Sequence, residues 1–275
     1  MKVKSKKSKV KKLKDILQSM SKVLIAYSGG VDSTFLVKIA KDTLGKENVL
    51  AVTAESATYP LSELKDAKRN ARNIGVRHLV IHTDEFEDSN FVLNPANRCY
   101  YCKKELFSTL RKIAKKEGIE FVIDASNTDD VNDYRPGAKA KKEFGVRSPL
   151  QEAGFNKNDI RHLSEKIGLK TWDKPAMACL ASRIPYGEKI EIDKLKRIET
   201  AEEFLQKSGF KQVRVRCHGS VARIEVLPKD IKLLIKNTLH DRIITRLKKM
   251  GFAFVTLDLQ GYRTGSLNEV LKNKK

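Results

Sequence analysis

The glycine-rich hexapeptide Ser28-Gly29-Gly30-Val31-Asp32-Ser33 is the first group of residues whose types and spacing suggest chemistry. An apolar run precedes it and helically spaced apolar residues follow it, so we expect a loop between a strand and a helix. Glycines let backbone N–H groups approach a phosphate, and the start of the following helix adds positive potential. The loop has neither the G-x-G-x-x-G nor the Gly-Lys-Ser/Thr pattern of the commoner nucleotide loops. The sequence therefore predicts a polyanion site of another kind, with a plain turn as the alternative.

Three cysteines form the second group of interest. Cys99 and Cys102 lie three positions apart at the expected start of a helix, where the thiols share one face and the helix dipole favours thiolate. Cys179 follows a proline-interrupted, loop-like segment that could bring a third thiolate to this pair. Three kinds of site remain open: zinc completed by a recruited histidine, a redox pair, and an iron–sulfur cluster. A cluster held by three thiolates leaves one iron open, which can bind an extra sulfide and pass it to an activated carbon.

An alternating segment at residues 213–218 predicts a strand with Arg214 and Arg216 on one face and Cys217 in the core. On the expected partner strand, Glu225 falls on the arginine side. Arginine forks match phosphate in a bidentate way, so we expect this face to bind a substrate phosphate, with Glu225 orienting a guanidinium or sensing a hydroxyl. A solvated or subunit-facing sheet surface is the alternative.

The elements that must position these groups alternate regularly along the first half of the chain. Apolar runs predict strands at 23–27, 49–54, 77–81 and 121–125, and helical spacing predicts helices at 34–44, 62–74 and 100–116. Strands that alternate with helices predict an α/β fold with a parallel sheet covered on both faces. Ligands of such sheets collect at the carboxyl ends of the strands, where the glycine loop is expected.

The pattern changes after residue 185, where a smaller α+β domain is predicted. It has helices at 193–207 and 229–250 and strands at 212–217, 221–227 and 252–257. We divide the chain into a basic leader helix (1–20), a main domain (21–185) and a C-terminal domain (186–275). The leader carries Leu13, Ile16, Leu17 and Met20 on one stripe.

The charge of the chain favours anionic partners. Its 275 residues include 55 Lys+Arg against 34 Asp+Glu, a net charge of +21, which suits nucleotides, nucleic acid or phosphorylated metabolites. Residues 1–14 hold eight lysines and no acid, and we expect this leader to fray in solvent. No apolar run approaches the roughly 18 residues of a membrane span, and no export signal is recognised. We therefore expect a cytoplasmic, reducing location, where paired cysteines serve metal or redox chemistry.

The hexapeptide resembles the PP-loop of the ATP pyrophosphatases, a group that includes GMP synthetases, NAD synthetases and tRNA thiolation enzymes. The resemblance implies a Rossmann-like, adenine nucleotide α-hydrolase-like domain that cleaves ATP between the α and β phosphates and transfers AMP to a substrate oxygen. It also implies residue roles: pyrophosphate held by Ser28, Gly29, Gly30 and Ser33, Mg²⁺ placed by Asp32, and adenosine near Ala26, Tyr27, Thr53 and Ala54.

Within this group, the chain resembles the LarE-type ATP-dependent sulfur transferases over nearly its full length. The likeness rests on the loop, Cys99-Tyr100-Tyr101-Cys102, residues 124–130, Asp133-Tyr134-Arg135-Pro136-Gly137, residues 178–187, Arg214-Val215-Arg216 and Ala222-Arg223-Ile224-Glu225. The resemblance implies sulfuration of pyridinium-3,5-dicarboxylate mononucleotide, for the nickel-pincer cofactor of lactate racemase. It also implies a homo-oligomer assembled through the C-terminal domain.

The cysteines distinguish two varieties of that family. Some members carry only the cysteine that matches Cys179, which gives up its own sulfur and becomes dehydroalanine. This sequence also has Cys99 and Cys102 and resembles the cluster-bearing variety, which implies a [4Fe-4S] cluster on the three thiolates. The resemblance further implies site residues: substrate phosphate on Arg214 and Arg216, Arg183 near the reacting group, and Asn127, Asp129 and Arg135 lining the site, Asn127 among the ATP-binding residues.

Three other functions remain open. A tRNA 2-thiolation enzyme would use the same loop and cluster, and the net charge suits RNA, although no extra RNA-binding module flanks the core. An amide-forming ligase related to NAD or GMP synthetases would need no cysteines. A non-enzymatic nucleotide sensor would bind the ligand without releasing pyrophosphate.

Overall fold

A computed structural model describes residues 2–132, 136–175, 178–235 and 237–272. The chain forms two compact units, of which the first consists of Met1–Glu87 and Asn97–Met177. The second consists of Asp88–Ala96 and Ala178–Lys275. The structure thus divides the chain before Ala178, whereas we predicted a division after residue 185.

Asn94 explains why the short stretch Asp88–Ala96 belongs to the second unit. The Asn94 side chain is fully buried and donates hydrogen bonds to the carbonyl oxygens of Pro185 at 2.7 Å and Glu188 at 2.9 Å. The Asn94 carbonyl in turn accepts from the Gly187 N–H at 2.9 Å. A buried amide with these partners ties two distant stretches together, and no local pattern in the sequence predicts it.

The strands and helices have the following bounds. The strands are β1 Val23–Ala26, β2 Val49–Glu55, β3 Arg77–His82, β4 Phe121–Ile123, β5 Val213–His218, β6 Val221–Val226 and β7 Phe254–Leu257. The α-helices are α1 Lys2–Met20, α2 Val31–Leu44, α3 Leu61–Ile74, α4 Ser89–Val92, α5 Arg98–Lys116, α6 Gly137–Glu143, α7 Pro149–Glu152, α8 Lys157–Lys166, α9 Ile192–Lys207, α10 Ile231–Leu234, α11 Asn237–Lys249 and α12 Glu269–Lys272.

The first unit is built on a parallel sheet with the strand order β3-β2-β1-β4, which confirms the predicted α/β fold. Strands β1 and β2 are mostly buried, as expected for strands covered on both faces. Because β1 pairs with β4 in parallel, the carboxyl ends of these two strands lie side by side. Loops that follow them therefore meet at one edge of the sheet.

Helix α1 is part of the core of the first unit. Its residues Leu13 and Leu17 are fully buried and Met20 is 3% exposed, all within the main apolar cluster. The Lys9 ammonium also donates to Asp159 at 2.6 Å. We expected the lysine-rich leader to fray, and this expectation is wrong because burial of the apolar stripe stabilises the helix from its C-terminal half.

The second unit contains a sheet with the order β5-β6-β7, in which β5 and β6 are antiparallel and β6 and β7 parallel. Arg214 lies opposite Glu225 and Arg216 opposite Arg223, so these residues share one face of the sheet, as predicted. Where we predicted one long helix at 229–250, the structure has the short α10 and the longer α11. No helix in the described part of the chain is long and apolar enough to cross a membrane.

Candidate functional site

The glycine loop joins β1 to α2, as predicted, and its backbone requires glycine. Gly29 has φ +63°, and a Cβ built there would lie 2.7 Å from Ala67 Cβ and 2.8 Å from Ala67 Cα on helix α3. Real Cβ atoms do not approach other carbons this closely, so only glycine lets α3 pack directly against the loop. The close approach therefore fixes the path of the loop over the end of the sheet.

The polar groups of the loop contact one another. The hydroxyls of Ser28 and Ser33 lie 3.0 Å apart, the Ser28 N–H donates to the Ser33 hydroxyl at 3.3 Å, and the Gly30 N–H donates to the Ser28 hydroxyl at 3.4 Å. The last two distances are long for hydrogen bonds. Phosphate oxygens are stronger acceptors, so the loop can exchange these contacts for an anion at little cost.

Asp32 follows the glycines and lies where the loops after β1 and β4 meet. Its Oδ2 accepts from Lys157 Nζ at 2.6 Å and from Asn127 Nδ2 at 3.2 Å. Its Oδ1 is buried and has no hydrogen-bond partner among the described residues. A buried carboxylate oxygen without a donor is costly, and it is the type of ligand that Mg²⁺ takes. The donor set therefore fits the Mg²⁺ that the family resemblance implies at Asp32.

Lys157 is a residue of this site that we did not predict, although a local signal existed. Helix α8 begins at Lys157, and the Asn156 side chain caps it by accepting from the Asp159 N–H at 2.8 Å. Asn-x-x-Asp is a recognisable helix start. The Lys157 N–H also donates to Asp129 at 2.9 Å, so the predicted site residue Asp129 places the start of α8 beside the loop.

The strand-end residues expected near adenosine form a buried scaffold. Thr53 donates its hydroxyl to the Tyr27 carbonyl at 2.7 Å and lies 2.8 Å from His78 Nε2. Tyr27 is 2% exposed, and burial raises its pKa to about 12. These contacts hold the ends of β1 and β2 together, which leaves the half-buried Ala26 and Ala54 beside them. The contact with adenosine remains a prediction.

Tyr59 is a further residue of the loop region that the sequence did not predict. Its hydroxyl donates to the Ser28 carbonyl at 2.7 Å. Burial raises the pKa of Tyr59, so the hydroxyl stays protonated and remains a donor. The segment before α3 therefore holds the loop through the Ser28 carbonyl, and only the tertiary structure reveals this contact.

Replacing Tyr59 with phenylalanine is expected to loosen the loop. Loss of one hydrogen bond should lower the free energy of unfolding by about 1 kcal/mol. For a domain of this size this corresponds to a fall of about 2–4 °C in the melting temperature. Thermal unfolding of the two proteins measures the difference, and identical melting temperatures would show that the Tyr59 hydroxyl contributes nothing.

The cysteines of the predicted pair occupy the first turn of α5, with Cys99 exposed and Cys102 partly exposed. Helix α6 packs tightly beside them: a Cβ on Gly137 would lie 2.9 Å from Lys103 Cγ and 3.4 Å from the Cys99 carbonyl oxygen. Cys179 is exposed in the second unit, immediately before a 3₁₀ turn at Leu180–Arg183. Within the described ranges, no three His, Cys, Asp or Glu residues are grouped to hold a metal ion.

Cys217 is a core residue, as predicted. It is fully buried on β5, donates to the Gly219 carbonyl at 3.4 Å, and lies 3.6 Å from an Arg197 guanidinium nitrogen. Burial raises the pKa of its thiol, which disfavours the reactive thiolate. It therefore serves as a natural control for the exposed cysteines.

Arg183 was predicted near the reacting group, and the structure gives it another environment. Its side chain is fully buried and forms a bidentate ion pair with Glu202 at 2.8 and 2.9 Å. Its remaining nitrogen donates to the carbonyls of Ala178 and Cys179 and to the Ser182 hydroxyl. Because all three nitrogens have protein partners, this geometry disfavours direct substrate binding by Arg183.

The predicted arginine face is an interior surface of the second unit rather than an open patch. Arg214 and Arg216 are 3% and 6% exposed, and Glu225 is fully buried. Arg216 forms a bidentate pair with Glu225 at 2.9 Å, whereas Arg214 lies over the Tyr262 ring. Burial, and next the charge of Arg183, lowers the pKa of Arg214 to about 10. The charge of Arg183 therefore adds to the cost of burying a second cation at Arg214.

The remaining predicted site residue, Arg135, lies outside the described residues together with Asp133 and Tyr134. Asn127, which donates to Asp32, also accepts from the Asp129 N–H at 2.9 Å through its side-chain carbonyl oxygen. The structure thus brings the loop, Asn127 and Asp129 together in the first unit, and Arg183, Arg214 and Glu225 in the second.

Comparisons with known proteins give matches to the region of the glycine loop and to nearly the whole chain. The NAD synthase family model matches residues 5–95, which include the loop. An uncharacterized protein of Synechocystis sp. is 46% identical over 264 residues, covering 96% of this chain and 98% of its own length. The pyridinium-3,5-bisthiocarboxylic acid mononucleotide synthase of Lactiplantibacillus plantarum is 40% identical over 255 residues, covering 93% and 92%.

A more distant match covers only part of the chain. A tRNA-specific 2-thiouridylase of Clostridium tetani is 26% identical over 189 residues, covering 56% of this chain and 53% of its own length. The matches to the Synechocystis and Lactiplantibacillus proteins, in contrast, cover nearly the whole of this chain and of each relative, so they include the second unit of this chain.

Proposed function

Because the chain belongs to the LarE-type family of ATP-dependent sulfur transferases, we propose that it adenylates a carboxylate of pyridinium-3,5-dicarboxylate mononucleotide and replaces the carboxylate oxygen with sulfur. The product would serve nickel-pincer cofactor synthesis. The proposal rests mainly on the geometry of the proposed ATP site, where the glycine loop packs directly on α3 and Asp32 accepts hydrogen bonds from Lys157 and Asn127. The enzyme is an ATP-dependent sulfurtransferase.

The ATP site explains how a carboxylate becomes reactive. A carboxylate oxygen is a poor leaving group, whereas AMP is a good one, so transfer of AMP makes the carbon open to attack. The loop N–H groups and the start of α2 would hold the pyrophosphate as it leaves. Mg²⁺, when bound at Asp32, supplies neutralising charge for that leaving group. Lys157 lies beside Asp32 and adds a cation whose ammonium stays partly exposed.

Lys157→Met is expected to raise KM for ATP about tenfold or more, since a charge-assisted hydrogen bond contributes about 1.5–3 kcal/mol. Without the ammonium, the Asp32 carboxylate presents a negative charge to the triphosphate. Pyrophosphate release at increasing ATP concentration measures the effect. Lys166→Met, at the exposed far end of the same helix, is the matched control. An unchanged KM in Lys157→Met would place this lysine outside the ATP site.

The substrate phosphate is proposed to bind at Arg214, with Arg216 beside it as a supporting positive charge, because every guanidinium nitrogen of Arg216 already has a protein partner. Support comes from the charge balance of the buried cluster, where Arg183, Arg214 and Arg216 lie among the two carboxylates Glu202 and Glu225. A phosphate dianion would offset the excess positive charge of this cluster, where burial, and next the charge of Arg183, lowers the pKa of Arg214. Glu225, fixed by Arg216, would orient the guanidinium rather than contact solvent.

Sulfur is proposed to come from a [4Fe-4S] cluster held by Cys99, Cys102 and Cys179. Support comes from residue type and exposure: thiolates are the usual ligands of such clusters, and the side chains of Cys99, Cys102 and Cys179 are at least partly exposed, whereas that of Cys217 is buried. When bound, the cluster supplies the sulfide that attacks the adenylated carbon and displaces AMP. Zinc and redox roles of the cysteines are the competing proposals.

Iron and acid-labile sulfide analysis after anaerobic reconstitution tests the cluster. The unmodified protein is expected to retain both elements, and a Cys99→Ser/Cys102→Ser variant to lose them, whereas Cys217→Ala retains them. Equal iron contents in all three proteins would contradict a cluster on these thiols.

The substrate proposal has its own experiment. The reconstituted protein is incubated anaerobically with ATP, Mg²⁺, sulfide and pyridinium-3,5-dicarboxylate mononucleotide, and mass spectrometry follows exchange of oxygen for sulfur. Thiocarboxylate that depends on ATP supports the proposal. Unchanged nucleotide in a protein that releases pyrophosphate with another acceptor would overturn it.

A tRNA 2-thiolation activity is the second candidate. The match to a tRNA-specific 2-thiouridylase and the net charge of +21 favour it. Thiouridine formed on added tRNA, with retention on tRNA that weakens steeply with salt, would support this activity over the first. Equal retention of this chain and of a neutral protein would exclude it.

Assembly and location complete the proposal. We expect a homo-oligomer formed through the second unit, where Ile235, Phe254 and Leu259 are 60%, 63% and 85% exposed. Light scattering of the purified chain measures this, and a monomer would contradict it. The thiol chemistry fits a reducing, cytoplasmic location.

A further inference from the structure

Arg183 holds the backbone of the turn that carries Cys179. One guanidinium nitrogen, Nη1, donates to the Ala178 carbonyl at 2.6 Å and to the Cys179 carbonyl at 3.0 Å. The other two nitrogens form the bidentate pair with Glu202 on helix α9. The fully buried guanidinium thus connects the two carbonyls before the turn to a rigid helix.

A second buried arginine holds the other end of the same turn. Arg216 Nη1 donates to the Ser182 carbonyl at 2.6 Å, while its other nitrogens are fixed by Glu225 and by the Ser266 hydroxyl. At the ends of the turn, the Ser182 N–H donates to the Cys179 carbonyl at 2.9 Å and the Ile184 N–H donates to the Ala181 carbonyl at 3.2 Å. The two guanidinium groups add side-chain hydrogen bonds to carbonyls at both ends of the turn.

We propose that Arg183, anchored by Glu202, is a positioning residue that fixes the Cys179 backbone so that the thiol is presented at one defined place. The inference rests on the proposed part of Cys179 in sulfur delivery. Cys179 itself is exposed, so its side chain has little packing to orient it, and its position depends on the backbone. A misplacement of about 1 Å can slow a reaction about 10²-fold, which makes such an anchor consequential.

Arg183→Lys tests the proposal, because lysine keeps the charge but cannot donate to Glu202 and to two carbonyls at once. Hydrogen exchange of a peptide spanning residues 178–184 is expected to accelerate at least about tenfold, through local opening. Thiocarboxylate formation should fall about 10²-fold, while KM for ATP and pyrophosphate release in the first turnover stay unchanged. A purely structural defect would instead impair thiocarboxylate formation, ATP binding and pyrophosphate release together.

Arg223→Lys is the matched control, since Arg223 contacts Glu225 and Asp258 but no atom of the turn in the described structure. It should leave exchange at 178–184 unchanged. Exchange in Arg183→Lys equal to that of the unmodified protein, or a parallel loss of pyrophosphate release, would overturn the proposal.

Ser182→Ala provides a second test should Arg183→Lys fail to fold. It removes only the hydroxyl that Arg183 Nη1 contacts at 3.0 Å, and a measurable acceleration of exchange confined to 178–184 is expected. Unchanged exchange there would overturn the proposal. Because exchange needs no substrate, failure of the anchor is distinguishable from failure of the sulfur-transfer function, which would appear as absent thiocarboxylate in the unmodified protein.

Discussion

Replacing Cys179 with serine is expected to abolish thiocarboxylate formation while the protein still binds ATP and releases pyrophosphate in a first turnover. The hydroxyl cannot act as a thiolate ligand, and it carries no sulfur to donate. The rate of thiocarboxylate formation should fall at least about 10³-fold, as for loss of an essential catalytic group. The proposed ATP site lies on the loop of the first unit, whereas Cys179 belongs to the second unit, so we expect pyrophosphate release to survive.

Cys217→Ala is the control for this experiment because Cys217 is fully buried in the core of the second unit. It should lower stability modestly and leave sulfur transfer intact. A Cys179→Ser protein that forms thiocarboxylate at the normal rate would contradict both the cluster route and the sacrificial route of sulfur supply.

Replacing Gly29 with alanine is expected to remove ATP cleavage. The new Cβ would lie 2.7 Å from Ala67 Cβ and 2.8 Å from Ala67 Cα, so either the loop or helix α3 must move. A displaced loop no longer aligns its N–H groups with a phosphate, and we expect pyrophosphate release to fall at least about 10²-fold. Ala67→Gly should not restore it, because the clash with the backbone of residue 67 remains.

Gly75→Ala separates this clash from backbone strain. Gly75 has φ +74°, similar to that of Gly29, but no atom lies within 4 Å of a Cβ built there. The variant should lose about 1–2 kcal/mol of stability from the left-handed conformation alone and keep ATP cleavage. Equal rates of pyrophosphate release in Gly29→Ala and Gly75→Ala would show that the packing of α3 on the loop does not contribute to ATP cleavage.

Short sequence patterns predicted the elements whose structure depends mainly on residues that are neighbours in the chain. The β1–loop–α2 unit follows from an apolar run, two glycines and helical spacing within one continuous stretch, and the structure confirms it. The alternation in β5 and β6 likewise predicted that Glu225 lies on the same face as Arg214, and the structure places these two residues opposite each other. Residue order within a strand determines the face of a side chain, and for these residues nothing more was needed.

Contacts made over long sequence separations could not be predicted in the same way. Lys157 reaches Asp32 from 125 residues away, and Tyr59 meets Ser28 only because α3 packs on the loop. Burial of the arginine face depends on the segments that cover the sheet, such as those carrying Ser182 and Ser266. The alternation within a strand predicts which face of the sheet a side chain occupies, but not which other segments of the chain cover that face.

The leader helix illustrates how packing overrides a charge pattern. Eight lysines in residues 1–14 suggested a solvated terminus, yet Leu13 and Leu17 are fully buried in the main core. Lysine favours helix, and its long side chain can reach solvent or an acid such as Asp159 from the edge of a buried stripe. The apolar spacing was therefore the more informative of the two signals.

Simultaneous quantification of pyrophosphate, AMP and thiocarboxylate tests the central claim most directly. The reconstituted protein is supplied anaerobically with ATP, Mg²⁺, sulfide and pyridinium-3,5-dicarboxylate mononucleotide, and all three products are measured in the same reaction. Adenylation followed by sulfur attack predicts that, over many turnovers, one pyrophosphate and one AMP accumulate for each thiocarboxylate group, with pyrophosphate ahead by no more than the amount of adenylate held on the enzyme. Thiocarboxylate formed without pyrophosphate, or ATP cleaved to AMP with the substrate carboxylates unchanged, would contradict the account.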